Sequence, residues 1–495
     1  GVAASRGDRR GDRLGGRSRI PLGEEAPHAE IVPLVLAHYG AALGAGSARA
    51  AQALPRLLTV FFEHGTACVR APRPANARER KAREAALDAM AKLAARAPLA
   101  VWLPALPQLT SRLCHAHAET RGVTRALLVR IAAAHPHQAL WALASVSRSA
   151  HPARAEAAQG VLASARRAAD GDGGNAARSL HAAFGSLADH LVRLCHFAPA
   201  GRARSFSIAR DFPGLSRLLP VPVVVPVAAC LDAAPPAGAA DGLVSVAGVD
   251  DGVAVLASLQ RPKKVTLLGS DGAAYAFLAK PKDDLRKDAR MMEVAGTANA
   301  LFARAAPARA RGLRLRRFAV QPLTEDCGLV EWVPHTTVYR TCCQEVYAAA
   351  GLYDRSRTNA EVKAAYDAAA GRPPTEWLAR MLAKFPPVLH AWLLDRFPDP
   401  GAWHGARLAF ARGAAAWSIL GHVVGLGDRH GENILLDAAT GDVVHVDFSC
   451  LFDRGLTLEK PEVVPFRLTQ NVVDACGVAG VEGAFRAAAE TTLAV

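Results

Sequence analysis

Along much of the first 200 residues, apolar positions recur every three to four residues, the spacing that places them on one face of an α-helix. In REAALDAMAKLAARA, Leu87, Met90 and Ala94 share such a face. In ETRGVTRALLVRIAAAHP, Val123, Leu127, Leu128 and Ile131 do the same, and Pro136 ends the run. The breaks between such runs are short, as in HPHQ (135–138) and SAHPAR (149–154). Amphipathic helices with short breaks predict stacked helical pairs, a solenoid-like region, although no fixed sequence period accompanies them.

Gly and Pro become dense over 198–252, and AAPPAGAADG at 233–242 reads as a linker. Beyond it the period changes. KVTLL (264–268) and AYAFLA (274–279) flank the turn signal GSDG and predict a β-hairpin. Polar residues 281–290 lead into a helix expected to run through 304, and LRRFAVQPL (315–323) and GLVEWV (328–333) read as strands. Helices dominate again beyond 340, interrupted by a hairpin over 434–448. Strands with one helix, followed by a mostly helical half, predict an α+β two-lobed architecture after the helical region.

Composition narrows this picture. A chain of 495 residues suggests two to four domains, and 51 % hydrophobic residues exclude global disorder. Much of the apolar content in the first half is Ala, which favours helices. The formal charge of +14 leaves nucleic-acid or membrane-surface partners open without choosing between them. Part of it is local: residues 1–20 carry six Arg against two Asp and no apolar period, so a basic disordered tail is expected there. The nine cysteines are scattered, with no C-x-x-C pair, which predicts a reduced intracellular setting. The most apolar run, VPVVVPVAACL (221–231), is too short to span a bilayer and is broken by Pro222 and Pro226. The pairs His115/His117 and His135/His137 lie in helical breaks without further ligands, and no zinc site is expected there.

The chemistry concentrates in GLGDRHGENILLDAATGDVVHVDF (425–448). Phosphoryl transfer needs metal-binding oxygens, a carboxylate near the acceptor hydroxyl and positive charge on the phosphates. Asp428 and Asn433 have the Asp-x-x-x-x-Asn spacing of a kinase catalytic loop, and Asp447-Phe448 follows after the hairpin. The hairpin would bring Asn433 and Asp447 together as two oxygen ligands for Mg²⁺. The order here is D-R-H rather than H-R-D, so His430 follows Asp428 and could contact the transferring phosphate or share proton handling. Upstream, Lys280 ends the strand AYAFLAK, with Asp283 and Asp288 after it. An ammonium there could neutralise phosphate charge, held by an acidic residue of the following helix. Lys282, Asp284 and Arg286 read as a solvated helix start.

ASLQRPKKVTLLGSDG, KPKDDLRKDAR, DCGLVEWV, GLGDRHGENILLD and HVDFSCLFDRGLTLEKPEVVPFRLT together resemble the phosphatidylinositol 3-kinase-related protein kinases (PIKKs), and within them the ATR-type checkpoint branch. QLTSRLCHAHAE and HPHQALWALASVSRSAHPAR resemble the helical FAT region of that branch, so the likeness spans roughly 30–490. It implies a multidomain chain: an all-α helical-repeat (FAT-like) region, then an α+β two-lobed kinase fold of the phosphatidylinositol 3/4-kinase type. The expected boundaries are a basic tail at 1–28, the C-terminal part of FAT at 29–200 and a linker at 201–250. The kinase N-lobe is expected at 251–334, and the C-lobe, truncated before the family's C-terminal FATC segment, at 335–495.

By position, the resemblance implies a phosphate-facing loop at 258–263 that starts at Ser258 and lacks a Gly-rich signature. Lys280 matches the ATP-binding lysine and Asp288 the acidic residue near it. Glu331, Trp332 and Val333 match the hinge, where Trp332 would stack on adenine and backbone groups of Glu331 and Val333 would hydrogen-bond it; by pattern alone Trp332 reads as core. Asp428 and His430 match the catalytic pair, and Asn433 and Asp447 the metal ligands. The segment 449–465 matches the activation loop, with Ser449, Arg454, Lys460 and Pro465 as its markers. Its only basic residues are Arg454 and Lys460, against Asp453, Glu459 and Glu462, which argues for a protein hydroxyl acceptor rather than a phosphoinositide.

The resemblance thus implies a serine/threonine kinase using ATP with Mg²⁺ or Mn²⁺ on Ser/Thr-Gln sites. It also implies DNA-damage signalling in the nucleus, an ATR-interacting regulatory subunit and complexes bound to single-stranded DNA. Direct nucleic-acid binding stays open, and no membrane partner is expected. The alternatives are another PIKK-family kinase, a pseudokinase scaffold of the same fold, and a lipid kinase.

Overall fold

Among the described residues, eight α-helices, beginning with His28–Gly44 and ending with Gly174–His196, fill the first 200 positions of the computed structural model. It describes residues 28–46, 49–74, 76–168, 174–201, 203–237, 242–354, 356–369 and 373–495. Residues 1–27 of the expected basic tail lie outside these, as do 202 and 238–241 of the expected linker, while His28 already opens the first helix. Ala50–Arg70, Ala118–Ala134 and Pro136–Ser147 pack around Leu57, Leu58, Phe61, Trp102, Ile131 and Leu143. The predicted faces are the buried ones: Met90, Ala94, Leu127, Leu128 and Ile131 are inside, and Leu87 and Val123 are half-buried. Helix Ala118–Ala134 ends before Pro136, which then opens the next helix at a position where its missing N–H costs nothing.

The stretch 201–250, expected as linker, departs from that reading. It contributes strands β1 (Ser205–Ser207), β2 (Val221–Val224) and β3 (Ser245–Val249), which join β4 (Gly252–Val255), β5 (Lys263–Gly269), β6 (Ala274–Pro281), β7 (Val320–Pro322) and β8 (Cys327–Glu331) in one antiparallel sheet. The order runs β1-β4-β5-β6-β8-β7, with β3 also on β5 and β2 on β3. Pro222 is compatible with β2 because that strand pairs on one side only and the proline points to solvent. The run 315–323 also differs from the expected strand: only residues 320–322 pair, while Leu315 and Phe318 are buried in the neighbouring core without a strand partner.

Helix Gly174–His196 lies on this sheet, so Leu187, Leu191 and Leu194 share one core with Val265, Phe277 and Leu329. Helix Arg286–Arg304 follows β6 and turns Met291, Met292 and Ala295 into a second core with Leu389, Trp392, Phe410, Trp417 and Phe448. Within that helical half sits a small sheet, β9 (Thr336–Val338), β10 (Ile434–Asp437) and β11 (Val443–His445), in the order β11-β10-β9. Among the described residues, no helix is long and apolar enough to cross a membrane.

Candidate active site

Helix Pro400–Val423 delivers the chain into the loop 424–433. Gly425 takes φ 60°, and a Cβ there would come within 2.5 Å of the Asp453 amide. At Gly427 a Cβ would meet Glu462 Oε2 at 2.5 Å. These glycines therefore let the segment after β11 lie directly on the loop. Phe452 and Asp453 amides donate to the carbonyls of Val424 (3.1 Å) and Gly425 (3.0 Å), and the Gly427 amide to that of Cys450 (2.8 Å).

Asp428 has φ 57°, a left-handed backbone that costs a non-glycine residue about 1–3 kcal/mol. Two bonds hold it: its amide donates to Glu462 Oε2 (2.8 Å), and its carbonyl accepts from Asn433 Nδ2 (2.8 Å). Glu462, which the sequence offers only as one acid of the expected activation loop, thus holds the loop at Asp428. His430 Nδ1 accepts from the Glu432 amide (3.2 Å), which leaves the proton on Nε2, 4.0 Å from Asp428 Oδ1.

Arg429, between these two, is not singled out by sequence reasoning. Its guanidinium is buried and donates to the carbonyls of Gly427 (2.9 Å), Val446 (2.8 Å), Asn433 (3.4 Å) and Asp447. Burial pushes its pKa down, against the charges of Asp447 and Asp428. A sequence shows the arginine but not its burial among four carbonyls. Below it His445, held neutral by burial and the charge of Arg429, stacks on Trp417 at 4.9 Å.

The hairpin pairs Ile434 with His445 and Leu436 with Val443. One step further, the Val446 amide donates to the Asn433 carbonyl (3.0 Å), and Arg429 binds the carbonyls of both Asn433 and Asp447, so the backbones of these two residues meet at one end of the hairpin. With its Nδ2 committed to Asp428, Asn433 presents Oδ1 as its remaining acceptor. Asp447 also has a left-handed φ, 59°, and accepts the Ser449 amide at Oδ1 (3.2 Å). Burial pushes its carboxyl up, but Ser449, Lys280 and Arg429 together hold it below the usual range. An ionised carboxylate and an amide oxygen are both hard donor types that Mg²⁺ takes.

Lys280 reaches this group from β6. Its ammonium pairs with Asp283 Oδ2 at 2.6 Å, so the acidic partner in direct contact is Asp283, not Asp288. Burial pulls the ammonium pKa down, yet Asp283, Asp288 and Asp447 raise it overall. Asp288 opens helix Arg286–Arg304 and accepts the Phe448 amide (3.2 Å), tying that helix to the Asp447-Phe448 dipeptide. Burial pushes its carboxyl up to about 6, against the nearby charge of Lys280.

The hinge positions follow β8. Glu331 donates its amide to Ala319 O (2.8 Å), and its buried carboxyl, pushed up by burial, accepts the amides of Ala319 (2.7 Å) and Ala228 (3.3 Å). Trp332 is half-buried rather than core, with the Lys264 ammonium 4.4 Å from its ring centroid. Val333 is buried, and its carbonyl accepts from Thr336 Oγ1 (2.9 Å). Ser258 is exposed between β4 and β5, in a turn closed by the Arg261 amide on its carbonyl (3.1 Å). Lys263, at the end of the expected phosphate-facing loop, points the other way: it is buried and its ammonium donates to the Cys195 carbonyl. It opens β5, and strand alternation turns it to the core face with Val265 and Leu267.

In the segment 449–465, Ser449 O lies within 3.5 Å of the Lys287 ammonium and 3.4 Å of the Arg454 guanidinium. Lys460 is bound to Tyr366, its Nζ 2.7 Å from the hydroxyl, and Pro465 is exposed.

Residues 274–495 match the phosphatidylinositol 3- and 4-kinase family, and residues 86–184 match the HEAT repeats described as serine/threonine-protein kinase ATR-like. The chain is 44 % identical over 486 residues to the serine/threonine-protein kinase ATR of Oryza sativa subsp. indica, covering 95 % of this chain and 18 % of that relative. To the protein of the same name from Arabidopsis thaliana it is 44 % identical over 472 residues, covering 92 % and 17 %. To protein kinase rad3 of Schizosaccharomyces pombe it is 34 % identical over 501 residues, covering 96 % and 21 %. A solved structure described as the FAT and kinase domain of CtTel1 superposes with a TM-score of 0.78 at 25 % identity, over 94 % of this chain and 32 % of that one. The chain thus spans about a fifth of the length of the curated relatives it matches.

Proposed function

The chain belongs to the phosphatidylinositol 3-kinase-related protein kinases of the ATR type, and from that premise we propose that it carries the catalytic centre of a serine/threonine kinase transferring the γ-phosphoryl group of ATP to protein hydroxyls. The observation that carries this reading is the convergence on Asp447. Lys280 and Arg429 act on its charge, Arg429 joins its carbonyl to that of Asn433, and Asp288 binds the amide of the next residue.

Asn433 Oδ1 and the Asp447 carboxylate would hold Mg²⁺ or Mn²⁺, which would supply positive charge to the phosphates of ATP. Lys280 leaves its pair with Asp283, or shares it, to neutralise phosphate charge from the sheet side. Asp428 accepts the hydrogen of the incoming Ser or Thr hydroxyl and aligns it for in-line attack. His430, with its proton on Nε2, donates to the transferring phosphoryl group. At the hinge, Trp332 offers one ring face to adenine while Lys264 covers the other. Because the Glu331 amide and the Val333 carbonyl are already bonded, adenine uses the Glu331 carbonyl and the Val333 amide. The activation-loop charges favour a protein over a phosphoinositide acceptor, since Arg454 and Lys460 stand against three acids and Lys460 is bonded to Tyr366. Ser/Thr-Gln acceptors, checkpoint signalling in the nucleus, a regulatory subunit and complexes on single-stranded DNA belong to the same proposal.

In the full-length protein, Asp428→Ala and Asp447→Ala are each expected to reduce phosphorylation of a Ser-Gln peptide at least a thousandfold with the fold intact. Retained peptide phosphorylation in either variant rejects the role of that carboxylate. Phosphoinositide turnover without peptide phosphorylation in the wild type would reject the acceptor class.

A further inference from the structure

Away from the cleft, the last turn of helix Gly174–His196 meets the turn between β7 and β8. There His196, Asp326 and Cys327 bring an imidazole nitrogen, a carboxylate oxygen and a sulfur within 4.8 Å of one another. His196 Nε2 lies 3.8 Å from Asp326 Oδ1. The Thr324 hydroxyl is 2.6 Å from Asp326 Oδ1 and 3.1 Å from Cys327 Sγ, so one side chain orients two of the three groups. The turn itself is tight, because the Leu323 and Thr324 amides both donate to the Cys327 carbonyl (3.0 and 3.1 Å). Cys195, next to His196, adds a second buried sulfur, 3.7 Å from the Gly328 carbonyl.

We propose that His196, Asp326 and Cys327 form a zinc site that pins the helical region to the sheet lobe. Imidazole, carboxylate and thiolate are the donor types that zinc accepts together, whereas Mg²⁺ and Ca²⁺ take oxygens. One thiolate and one carboxylate balance the ion's charge, so the occupied cluster places no net charge against the neighbouring core. Cys327 is fully buried while His196 and Asp326 are exposed, which gives the ion a path from solvent onto the sulfur. On binding, the Cys327 thiol releases its proton to solvent and a Zn–S bond forms without any change of oxidation state. Water takes the fourth position.

The site has a consequence for the cleft. The Asp326 carbonyl accepts the Asp283 amide (2.8 Å), and Asp283 is the residue paired with Lys280 at 2.6 Å. Cys327 itself faces Pro281 across the β6–β8 ladder, one position beyond Lys280 opposite Gly328. The ion would therefore steady the turn on which the Lys280–Asp283 pair rests.

The test compares metal content of the full-length protein, purified without chelator and under reducing conditions, with that of Cys327→Ser and His196→Asn. The second change is at an exposed position and leaves the core intact. Mass spectrometry of bound metal is expected to find one zinc fewer per chain in each variant. Cobalt(II) replacement should give a thiolate-to-cobalt charge-transfer band in the near ultraviolet that Cys327→Ser removes. Zinc content unchanged in either variant, or a cobalt spectrum indifferent to Cys327→Ser, overturns the proposal. So does a Cys195–Cys327 disulfide found by non-reducing peptide mapping of the freshly purified protein. None of these readouts depends on kinase activity, so the site and the catalytic reading can fail separately.

Discussion

Asp288 and Arg429 are the two residues where burial and charge conflict most directly. Asp288 is buried and its carboxyl is raised from 3.8 to about 6, chiefly by burial. A carboxyl whose folded-state pKa is raised binds its proton more tightly in the folded protein. Its stabilisation is therefore present in full below the unfolded pKa and is lost as pH rises through about 6. At neutral pH the ionised form costs about 2–3 kcal/mol, an upper bound since nearby Lys280 relaxes around it. Asp288→Asn keeps an acceptor for the Phe448 amide and is expected to raise the melting temperature of the nucleotide-free protein at pH 7–8 by a few degrees. The gain should vanish near pH 4, and a thermal scan across pH checks it. Arg429 presents the opposite case, since its charge is fully used by backbone carbonyls. Arg429→Met leaves those carbonyls unpaired beside Asp447, so kcat should fall by about two orders of magnitude while the loop loses about 3–5 kcal/mol. Paired kinetics and melting measurements would show whether both losses occur. Asp428, His430, Asn433 and Asp447 can be proposed as a group from the sequence because their spacing is chemical. Arg429 and Glu462 are not, because what they do depends on carbonyls and an amide that only folding brings to them.

The hairpin β10–β11 is legible in its two short apolar runs, and the ladder pairs them antiparallel, Ile434 with His445 and Leu436 with Val443. Its packing onto helix Pro400–Val423 depends on Gly441, where φ is 78° and a Cβ would collide with the Ala406 carbonyl oxygen. Gly441→Val should lower stability by about 2–4 kcal/mol and shift Asn433 against Asp447, reducing kcat more than it raises KM for ATP. A melting temperature and kcat both equal to wild type would mean that the turn can be rebuilt without consequence. The partner strand β9 escapes sequence reading, since three residues carry too short a pattern to register. β1, β2 and β3 escape it for another reason. Gly and Pro density over 198–252 signals loops on average, yet an edge strand with pairing on one side tolerates proline and a bulge separates Val221 from Val224.

The two halves of the chain share a core: Leu187, Leu191 and Leu194 of the last long helix of the first half lie under Val265, Phe277 and Leu329 of the sheet. A kinase fragment starting at residue 251, the boundary expected from sequence, would lose three strands and expose this face. Such a fragment is expected to be insoluble or protease-labile, whereas one beginning at residue 174 or earlier keeps the face covered; limited proteolysis of the two distinguishes the cases. By itself the sequence determined the helical first half and the two-lobed α+β second half, and it proposes the site residues, since apolar period and functional spacing are local properties of the chain. Tertiary structure alone decided that Lys263 turns inward and that Lys280 pairs with Asp283. It also decided that Glu462 and Arg429 hold Asp428 and Asp447 in left-handed backbone, and that the supposed linker is sheet. Each of these depends on which distant groups remove a side chain or amide from water, and no local pattern encodes that.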